Sequence, residues 1–210
     1  MQPGYYGDQP NGICNVTPEE FLRAFETFHR HTCTHSQMTT PAQYRRMAAP
    51  GACANVFANH IWAWGDQHLD LTVGPDCARR NNAAATALRC GVPISLHSDS
   101  PVTPLGLLHT AQHAVTRRTQ SGRVAGEHER ITVQQALEAV TIGAAYMLKM
   151  DHALGSIEAG KFADLAVLEQ GPHAAAPNVR VHRQDPHDPA QSLRAIAAAR
   201  PAHGIRRGSP

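Results

Sequence analysis

Apolar positions between residues 17 and 150 follow two patterns that alternate along the chain. Residues 17–28 and 132–148 carry apolar side chains at helical spacing, each stretch behind a capping sequence. Residues 52–57 and 92–96 are short apolar runs that follow a glycine, which is typical of a strand buried on both faces. Alternating helices and buried strands predict parallel βα units, in a doubly wound sheet or in a (β/α) barrel.

Capping residues set the expected helix boundaries. Thr40 opens one helix, and Thr132 with Gln135 forms the capping box of another. A single helix is expected from residue 76 to residue 90, ended by Gly91, and a further helix is expected behind Thr103-Pro104. The strands are expected near residues 32–34, 52–57 and 92–97.

The pattern changes at residue 155. Residues 155–169, with the sequence GSIEAGKFADLAVLE, contain two strand-like runs around Ala159-Gly160 and predict a β-hairpin appended to the α/β part. Residues 171–210 are rich in Pro, His, Arg and Ala without clean periodicity, so they predict a disordered tail. The expected division is therefore 1–150, 151–170 and 171–210.

Charge and cysteine content narrow the class of protein. Lys and Arg number 19 against 17 Asp and Glu, so the net charge of +2 disfavours a nucleic-acid partner. Five cysteines without a CxxC pair argue against a disulfide framework. The first residues lack the basic and apolar blocks of a signal peptide, and no apolar run is long enough to span a membrane. The expected location is the cytoplasm, without a membrane partner.

Polar side chains follow each strand candidate, at the point where parallel α/β folds place their functional groups. His35 follows the first run, His60 the second, and His97 and Asp99 the third. The chain has 14 histidines, and imidazoles with a carboxylate are the donors that a hydrolytic zinc-type ion prefers. These residues therefore predict a metal-assisted hydrolytic site, although a lone histidine is more often structural.

Several motifs in order resemble one family of enzymes. The runs THSQMTTPAQYRRMA, CANVFANHIWAWGDQH, VGPDCARRNNAAATALRCGVPISLHSDSPVTP, AVTRR and ALEAVTIGAAYMLKMDHALGSIEAGKFADLAVLE are similar to the C-terminal half of amidohydrolase family 3. The similarity covers roughly residues 5–170, and the tail beyond it looks unrelated. The resemblance implies a partial (β/α)8 barrel of the TIM type with a remnant β-hairpin of a small β domain. It also implies hydrolysis of non-peptide amide bonds by a metal-activated water.

Carried over residue by residue, the resemblance implies a site. His35 resembles the ligand at the end of the sixth barrel strand, and Asp99 resembles the carboxylate after the eighth, which would bind metal and act as the catalytic base. The implied cofactor is a divalent metal, most simply zinc, held weakly by so few ligands. The residues that resemble the substrate-binding side of such pockets are His60, Trp64, Asp66 and His97.

The sequence also departs from the family. The paired His-x-His ligands of the first barrel strand have no counterpart, since His29-Arg30-His31 follows an amphipathic helix, and one βα unit before Thr32 looks deleted. Two hypotheses follow. The chain is a truncated hydrolase for a small amide-type substrate, weak or inactive alone and completed by a complementary chain or by self-association. Alternatively, it is a degenerate, non-catalytic fragment that acts only by association.

Overall fold

A computed structural model describes residues 30–168, together with Arg23 and residues 171–172. A three-stranded parallel sheet forms its centre, with β1 (Thr32–His35), β2 (Cys53–Phe57) and β3 (Ile94–His97) side by side in that order. The three strands predicted near residues 32–34, 52–57 and 92–97 are therefore confirmed. Each successive pair is connected by helices, as parallel pairing requires.

Seven α-helices surround the sheet in the described part of the chain. They are α1 (Pro41–Ala48), α2 (Asn59–Gln67), α3 (Gly74–Arg79), α4 (Ala84–Arg89), α5 (Leu107–Thr116), α6 (Val133–Val140) and α7 (Ile142–Met147). A π-helical turn, His68–Thr72, extends α2, and a 3₁₀ turn spans Glu127–Glu129. Among the residues that the structure describes, no helix is long and apolar enough to cross a membrane.

The two faces of the sheet differ in chemistry. On one face Ala54, Val56, Ile94 and Leu96 are buried and pack in the main apolar cluster with side chains of the helices. On the other face Asn55 lies beside Ser95, whose hydroxyl donates a 2.9 Å hydrogen bond to the Asn55 amide oxygen. The apolar face stabilises the fold, because burying each Val, Ile or Leu side chain contributes roughly 1.5–3 kcal/mol.

Local capping explains where the helices begin. Thr40 and Thr132 each form the complete capping box, with Gln43 and Gln135 as the reciprocal partners, so these two predictions are confirmed. Gly91 has the left-handed backbone, φ 76°, that was expected after α4. Its conformation lets the chain turn from helix into β3.

The predicted helix from residue 76 to residue 90 is wrong as a single element. The helix breaks between α3 and α4, where Asn82 has a positive φ of 52°. The guanidinium of Arg117 donates to the carbonyls of Asn81 and Asn82, at 2.7 and 3.0 Å. Those carbonyls are thereby withdrawn from helical pairing, so a long-range contact overrides the local helical pattern.

Thr103 is also not the helix cap that the sequence predicted, because α5 begins four residues later at Leu107. The Thr103 hydroxyl is buried, accepts a 2.8 Å hydrogen bond from the Asn59 amide and donates to the Ser98 carbonyl. It fastens the loop after β3 to α2.

The predicted hairpin around Ala159-Gly160 is absent from the structure. Residues 155–168 contain no strand, and Ile157, Phe162 and Val167 are exposed. An isolated two-stranded hairpin is only marginally stable unless a sheet or helix covers its apolar side, and no described element does so here. Apart from Arg23, which is helical, the helix predicted over residues 17–28 lies outside the described residues, as does the tail over residues 173–210.

Candidate active site

His35 and His97 meet at the carboxyl end of the sheet, where β1 and β3 terminate. In strand alternation His35 would share the face of its register partner Val56, but its positive φ of 66° turns the residue out of the strand pattern. Its Nδ1 lies 3.1 Å from Nε2 of His97, and the two rings stack with centroids 5.0 Å apart. Each ring is partly exposed at this edge.

Asp99 approaches the opposite nitrogen of His35. Its Oδ2 lies 3.9 Å from His35 Nε2, and both side chains are about two-fifths exposed, at 39% and 44%. Asp99 has φ 55°, a left-handed conformation that Asp tolerates better than most residues. The hydrogen bonds of Thr103 to Ser98 and Asn59 hold the loop that carries this carboxylate. The predicted convergence of His35 and Asp99 is therefore present.

Phe57, the last residue of β2, packs its apolar ring against three imidazoles of the cluster. Its ring centroid lies 5.4 Å from that of His35, 5.0 Å from that of His97 and 5.1 Å from that of His60. The phenyl ring is buried, so it removes water from one side of these imidazoles. Burial accordingly lowers the pKa of His97, and the nearby His35 adds to that effect.

His60, Trp64 and His68 extend the cluster along one face of α2 and its π-helical turn. The rings of Trp64 and His68 each lie 4.8 Å from that of His60. His60 Nδ1 is 3.2 Å from His68 Nε2, and the Gln37 amide nitrogen is 3.1 Å from His60 Nδ1. Burial and the neighbouring imidazole of His68 lower the pKa of His60 to about 4, and burial lowers that of His68. Both imidazoles are neutral at neutral pH.

Asp66 is bound elsewhere. Its carboxylate accepts hydrogen bonds from the hydroxyl and backbone N–H of Ser121, at 2.7 and 3.1 Å, and lies 3.7 Å from the Arg123 guanidinium. The Ser121 contacts, with Arg123, lower the pKa of this carboxyl. These contacts hold the hairpin-like loop after α5 against α2, so the geometry gives Asp66 a structural contact instead of a place beside the histidines.

Sequence reasoning missed three members of the cluster: Gln37, Phe57 and His68. From the sequence no helix is predicted between residues 58 and 75, but a helix there puts residues 60, 64 and 68 on one face by their spacing of four. That periodicity was the available signal. Gln37 follows β1 without any pattern of its own, and only the tertiary fold brings it to His60.

The donor types suit a divalent ion, but their number is low. His35 Nε2 and Asp99 Oδ2 supply one nitrogen and one oxygen, which are ligands that Zn²⁺ and related ions accept. Within residues 30–168, no three His, Cys, Asp or Glu side chains are spaced to hold one metal ion. The described residues therefore fit two of the three protein ligands of a catalytic zinc.

Family comparison identifies the chain. Residues 14–208 match the model of the amidohydrolase family. This chain belongs to the amidohydrolase family. The predicted relationship is confirmed, but the expectation of an unrelated tail is wrong, because the family match continues through residues 171–208. The tail is dominated by Ala, Pro and Arg, whose weak pattern hid the relationship.

Two curated relatives of this chain are much longer than it is. The N-substituted formamide deformylase of Arthrobacter pascens is 27% identical over 179 residues, which cover 77% of this chain and 31% of that protein. Protein LONG AFTER FAR-RED 3 of Arabidopsis thaliana is 29% identical over 140 residues, covering 66% of this chain and 24% of that protein. The chain thus matches less than a third of the length of either relative.

Solved structures support the fold. An uncharacterized metal-dependent hydrolase from Pyrococcus horikoshii superimposes with a TM-score of 0.65 at 20% identity, covering 78% of this chain and 34% of that one. An uncharacterized metal-dependent hydrolase from Pyrococcus furiosus gives 0.60 at 22% identity, covering 74% and 31%. At these identities the likeness concerns the α/β fold alone.

Proposed function

We propose that this chain carries part of the site of a metal-dependent amidohydrolase that cleaves non-peptide carbon–nitrogen bonds. The observation that carries the proposal is the convergence of His35 and Asp99 at the carboxyl end of a parallel sheet, with a 3.9 Å gap between imidazole nitrogen and carboxylate oxygen. In this proposal the three strands are neighbouring strands of a partial (β/α)8 barrel, whose active sites lie at that end.

The two ring nitrogens of His35 have different neighbours, and in the proposal they have different roles. Nε2 faces Asp99, so this nitrogen and the carboxylate would hold the ion. Nδ1 faces His97 at 3.1 Å. Metal-bound histidines usually donate their second ring N–H to a neighbouring acceptor, which fixes tautomer and orientation. In the proposal His97 accepts that hydrogen bond and positions His35, in addition to bordering the substrate.

A bound divalent ion would supply a water of lowered pKa and polarise the scissile carbonyl. Asp99 would take the proton of the attacking water on a carboxylate oxygen and return it to the leaving amine. The loop contacts from Thr103 keep this carboxylate oriented toward His35.

The substrate class follows from the family and from the lining. The deformylase relative is named for N-substituted formamides, and small amides of this kind are the proposed substrates. Aromatic and imidazole side chains, those of Phe57, His60 and Trp64, would border the substrate. Asp66 was also proposed to bind substrate, and for that role it would have to release Ser121.

Completion of the site requires ligands beyond the two that the described residues supply. Two protein ligands bind zinc far more weakly than three, because each ligand removed takes away both a bond and charge neutralisation. A complementary chain, or a second copy of this one, is proposed to supply the rest. Alone, the chain is expected to hold zinc weakly and to hydrolyse slowly.

The test combines calorimetric zinc binding with hydrolysis of N-substituted formamides and N-acyl amino acids by the full chain. We expect weak zinc binding at His35 and Asp99, together with low turnover. This binding component and the turnover should be lost in Asp99→Asn and kept in Asp76→Asn, since the Asp76 side chain is 95% exposed. Equal turnover in the two variants would overturn the proposal. Absent binding in all variants would favour the alternative, a non-catalytic fragment that acts by association.

A further inference from the structure

Three donors beside the proposed hydrolytic site meet at a spacing that suits a metal ion. His60 Nδ1 and His68 Nε2 are 3.2 Å apart, and the side-chain amide of Gln37 lies 3.1 Å from the first nitrogen and 3.5 Å from the second. Two ligands bound 2.0 Å from a tetrahedral ion are separated by about 3.3 Å. The three edges of this triangle therefore match one face of a coordination tetrahedron.

The protonation of His68 leaves its inward nitrogen free to act as a ligand. His68 Nδ1 lies 2.7 Å from the Thr72 hydroxyl oxygen, and that hydroxyl donates to the Gln67 carbonyl at 3.5 Å. With the hydroxyl proton directed at the Gln67 carbonyl, the matching His68 tautomer carries its proton on Nδ1. The proton on Nδ1 leaves Nε2 with a lone pair directed at His60. An outer hydrogen bond of this kind is the usual support of a metal-bound histidine.

The nitrogen of His60 that faces His68 is also unprotonated. The amide N–H of Gln37 donates to His60 Nδ1 at 3.1 Å, so this nitrogen also carries a lone pair. Two lone pairs 3.2 Å apart repel each other, and a cation between them would relieve the repulsion. Rotation of the Gln37 amide by 180° about its terminal bond would present the amide oxygen as the third donor.

We infer that Gln37, His60 and His68 form a second site for a divalent transition ion such as Zn²⁺ or Co²⁺, separate from the His35–Asp99 pair. Two imidazoles and one amide oxygen are donors that these ions accept. All three side chains are half-buried, which leaves a path for the ion and one coordination position for water or another ligand. No hydrogen bond in the described part of the chain joins this triangle to His35 or Asp99, although Phe57 contacts both groups.

The lowered pKa values of His60 and His68 favour metal binding, in addition to the geometry of the site. The pKa of His60 is about 4 and that of His68 is lowered, so neither imidazole must lose a proton to bind metal at pH 7. Proton competition, which normally weakens histidine sites below neutrality, should therefore begin only at more acidic pH.

The experiment uses Co²⁺ as the probe, in the full chain carrying Asp99→Asn so that the proposed hydrolytic site is removed. Cobalt absorption in the visible range reports stoichiometry and affinity, and nitrogen hyperfine splitting of bound Cu²⁺ counts imidazoles. We expect one equivalent of Co²⁺ and two imidazole nitrogens. Adding His68→Ala or Gln37→Leu should weaken binding by at least about tenfold, and Thr72→Val by roughly tenfold through the outer hydrogen bond.

His128→Ala is the matched control, because its side chain is 57% exposed and lies outside the cluster. Its affinity should equal that of the parent. Loss of all cobalt binding in Asp99→Asn would overturn the second site, and so would equal binding in His68→Ala and His128→Ala. Gln37→Leu decides the case if His68→Ala fails to fold, since it leaves both histidines in place. Unchanged affinity in that variant would overturn the three-donor site.

Discussion

A single buried cation, Arg117, organises the break between two helices. Its side chain is 1% exposed, and it donates to the carbonyls of Asn81, Asn82 and Ala125. Burial lowers its pKa to about 10, with the buried carboxylate of Glu129 opposing that shift. The sequence shows the residue within AVTRR but cannot show which carbonyls it binds, because those partners lie 8 to 36 positions away.

Replacement of Arg117 by Met should therefore destabilise the junction between α3 and α4. Three buried carbonyls would lose the guanidinium as donor, although that of Asn82 would keep the backbone N–H of Ala84, so the free energy of unfolding should fall by about 3 kcal/mol. The adjacent Arg118→Met is the control, because Arg118 is exposed and should change stability little. Urea denaturation followed by circular dichroism measures both. Equal stability of the two variants would mean that the carbonyls find other donors.

His113 links stability to pH. It is 4% exposed, its Nε2 has no hydrogen-bond partner within the described residues, and Trp62 and His109 pack against its ring. Burial, with a smaller effect from His109, lowers the pKa of His113 from 6.5 to about 3. Between pH 6.5 and pH 3, His113 is therefore protonated in the unfolded chain but neutral in the folded chain. The free energy of unfolding falls as the pH drops from 6.5 toward 3.

The slope from this one group should approach about 1.4 kcal/mol per pH unit. His113→Leu keeps the volume and removes the titration, so its unfolding free energy should depend less on pH between 4 and 6. An exposed histidine, His152, provides the control as His152→Asn, which should retain the slope of the parent. Identical slopes in all three proteins would refute the assignment.

At the scale of elements, local signals predicted only part of the fold. The capping boxes of Thr40 and Thr132 depend on residues three positions apart, and so they could be found in the sequence. The helix α2 has no such capping signal, because its N-cap Ala58 offers no side-chain hydrogen bond, and Gly65 lies inside it. Its available signal was the spacing of four between residues 60, 64 and 68. Packing fixes that glycine, since a Cβ there would lie 2.5 Å from a Thr119 methyl.

Close approach between elements is most severe at Gly126. A Cβ on this residue would overlap the backbone carbonyl of Arg79, at the end of α3. Gly126 also has φ 76°. Its replacement by Ala thus combines an unfavourable left-handed backbone, about 1 kcal/mol, with a clash against rigid backbone.

Gly122 separates these two costs. It has φ 86°, yet a Cβ there would meet no atom within 4 Å. Gly122→Ala should lose about 1 kcal/mol of unfolding free energy, from the backbone alone. Gly126→Ala should lose clearly more, with thermal unfolding as the measurement. Similar losses of unfolding free energy in both variants would show that the loop containing Gly126 can move away from α3.

The residues of the candidate site also fall into two groups: those that the sequence indicated and those that only the tertiary fold brings together. His35, His97 and Asp99 were predictable because they lie at or just after strand ends, and parallel strands end at one edge. His35 and His97 are the last residues of β1 and β3, and Asp99 follows two residues later. Asp66 was placed with them by resemblance, but its position on α2 directs it to Ser121 and Arg123. Gln37 entered the cluster only through the packing of α2 on the sheet edge, whereas the spacing of His68 from His60 and Trp64 was visible in the sequence.

At the scale of the whole molecule, the described residues leave an apolar segment uncovered. Ile157, Phe162, Leu165 and Val167 are between 59% and 86% exposed, and the segment has no strand of its own. Contiguous exposed apolar surface usually marks an interface. The sheet itself has β1 and β3 as its edges in the described part of the chain, which adds unpaired backbone groups that favour association.

We therefore expect the purified chain to self-associate through residues 157–168. Replacing Phe162 and Leu165 together by Ser should shift the mass measured by light scattering toward the monomer, because both side chains are more than half exposed. Leu71→Ser is the matched control, since Leu71 is 81% exposed on the π-helical turn and lies outside the segment. Removal of apolar surface there should leave the association unchanged. A parent protein that is monomeric at all concentrations, or a double variant with the mass of the parent, would show that this surface has no partner in a second copy.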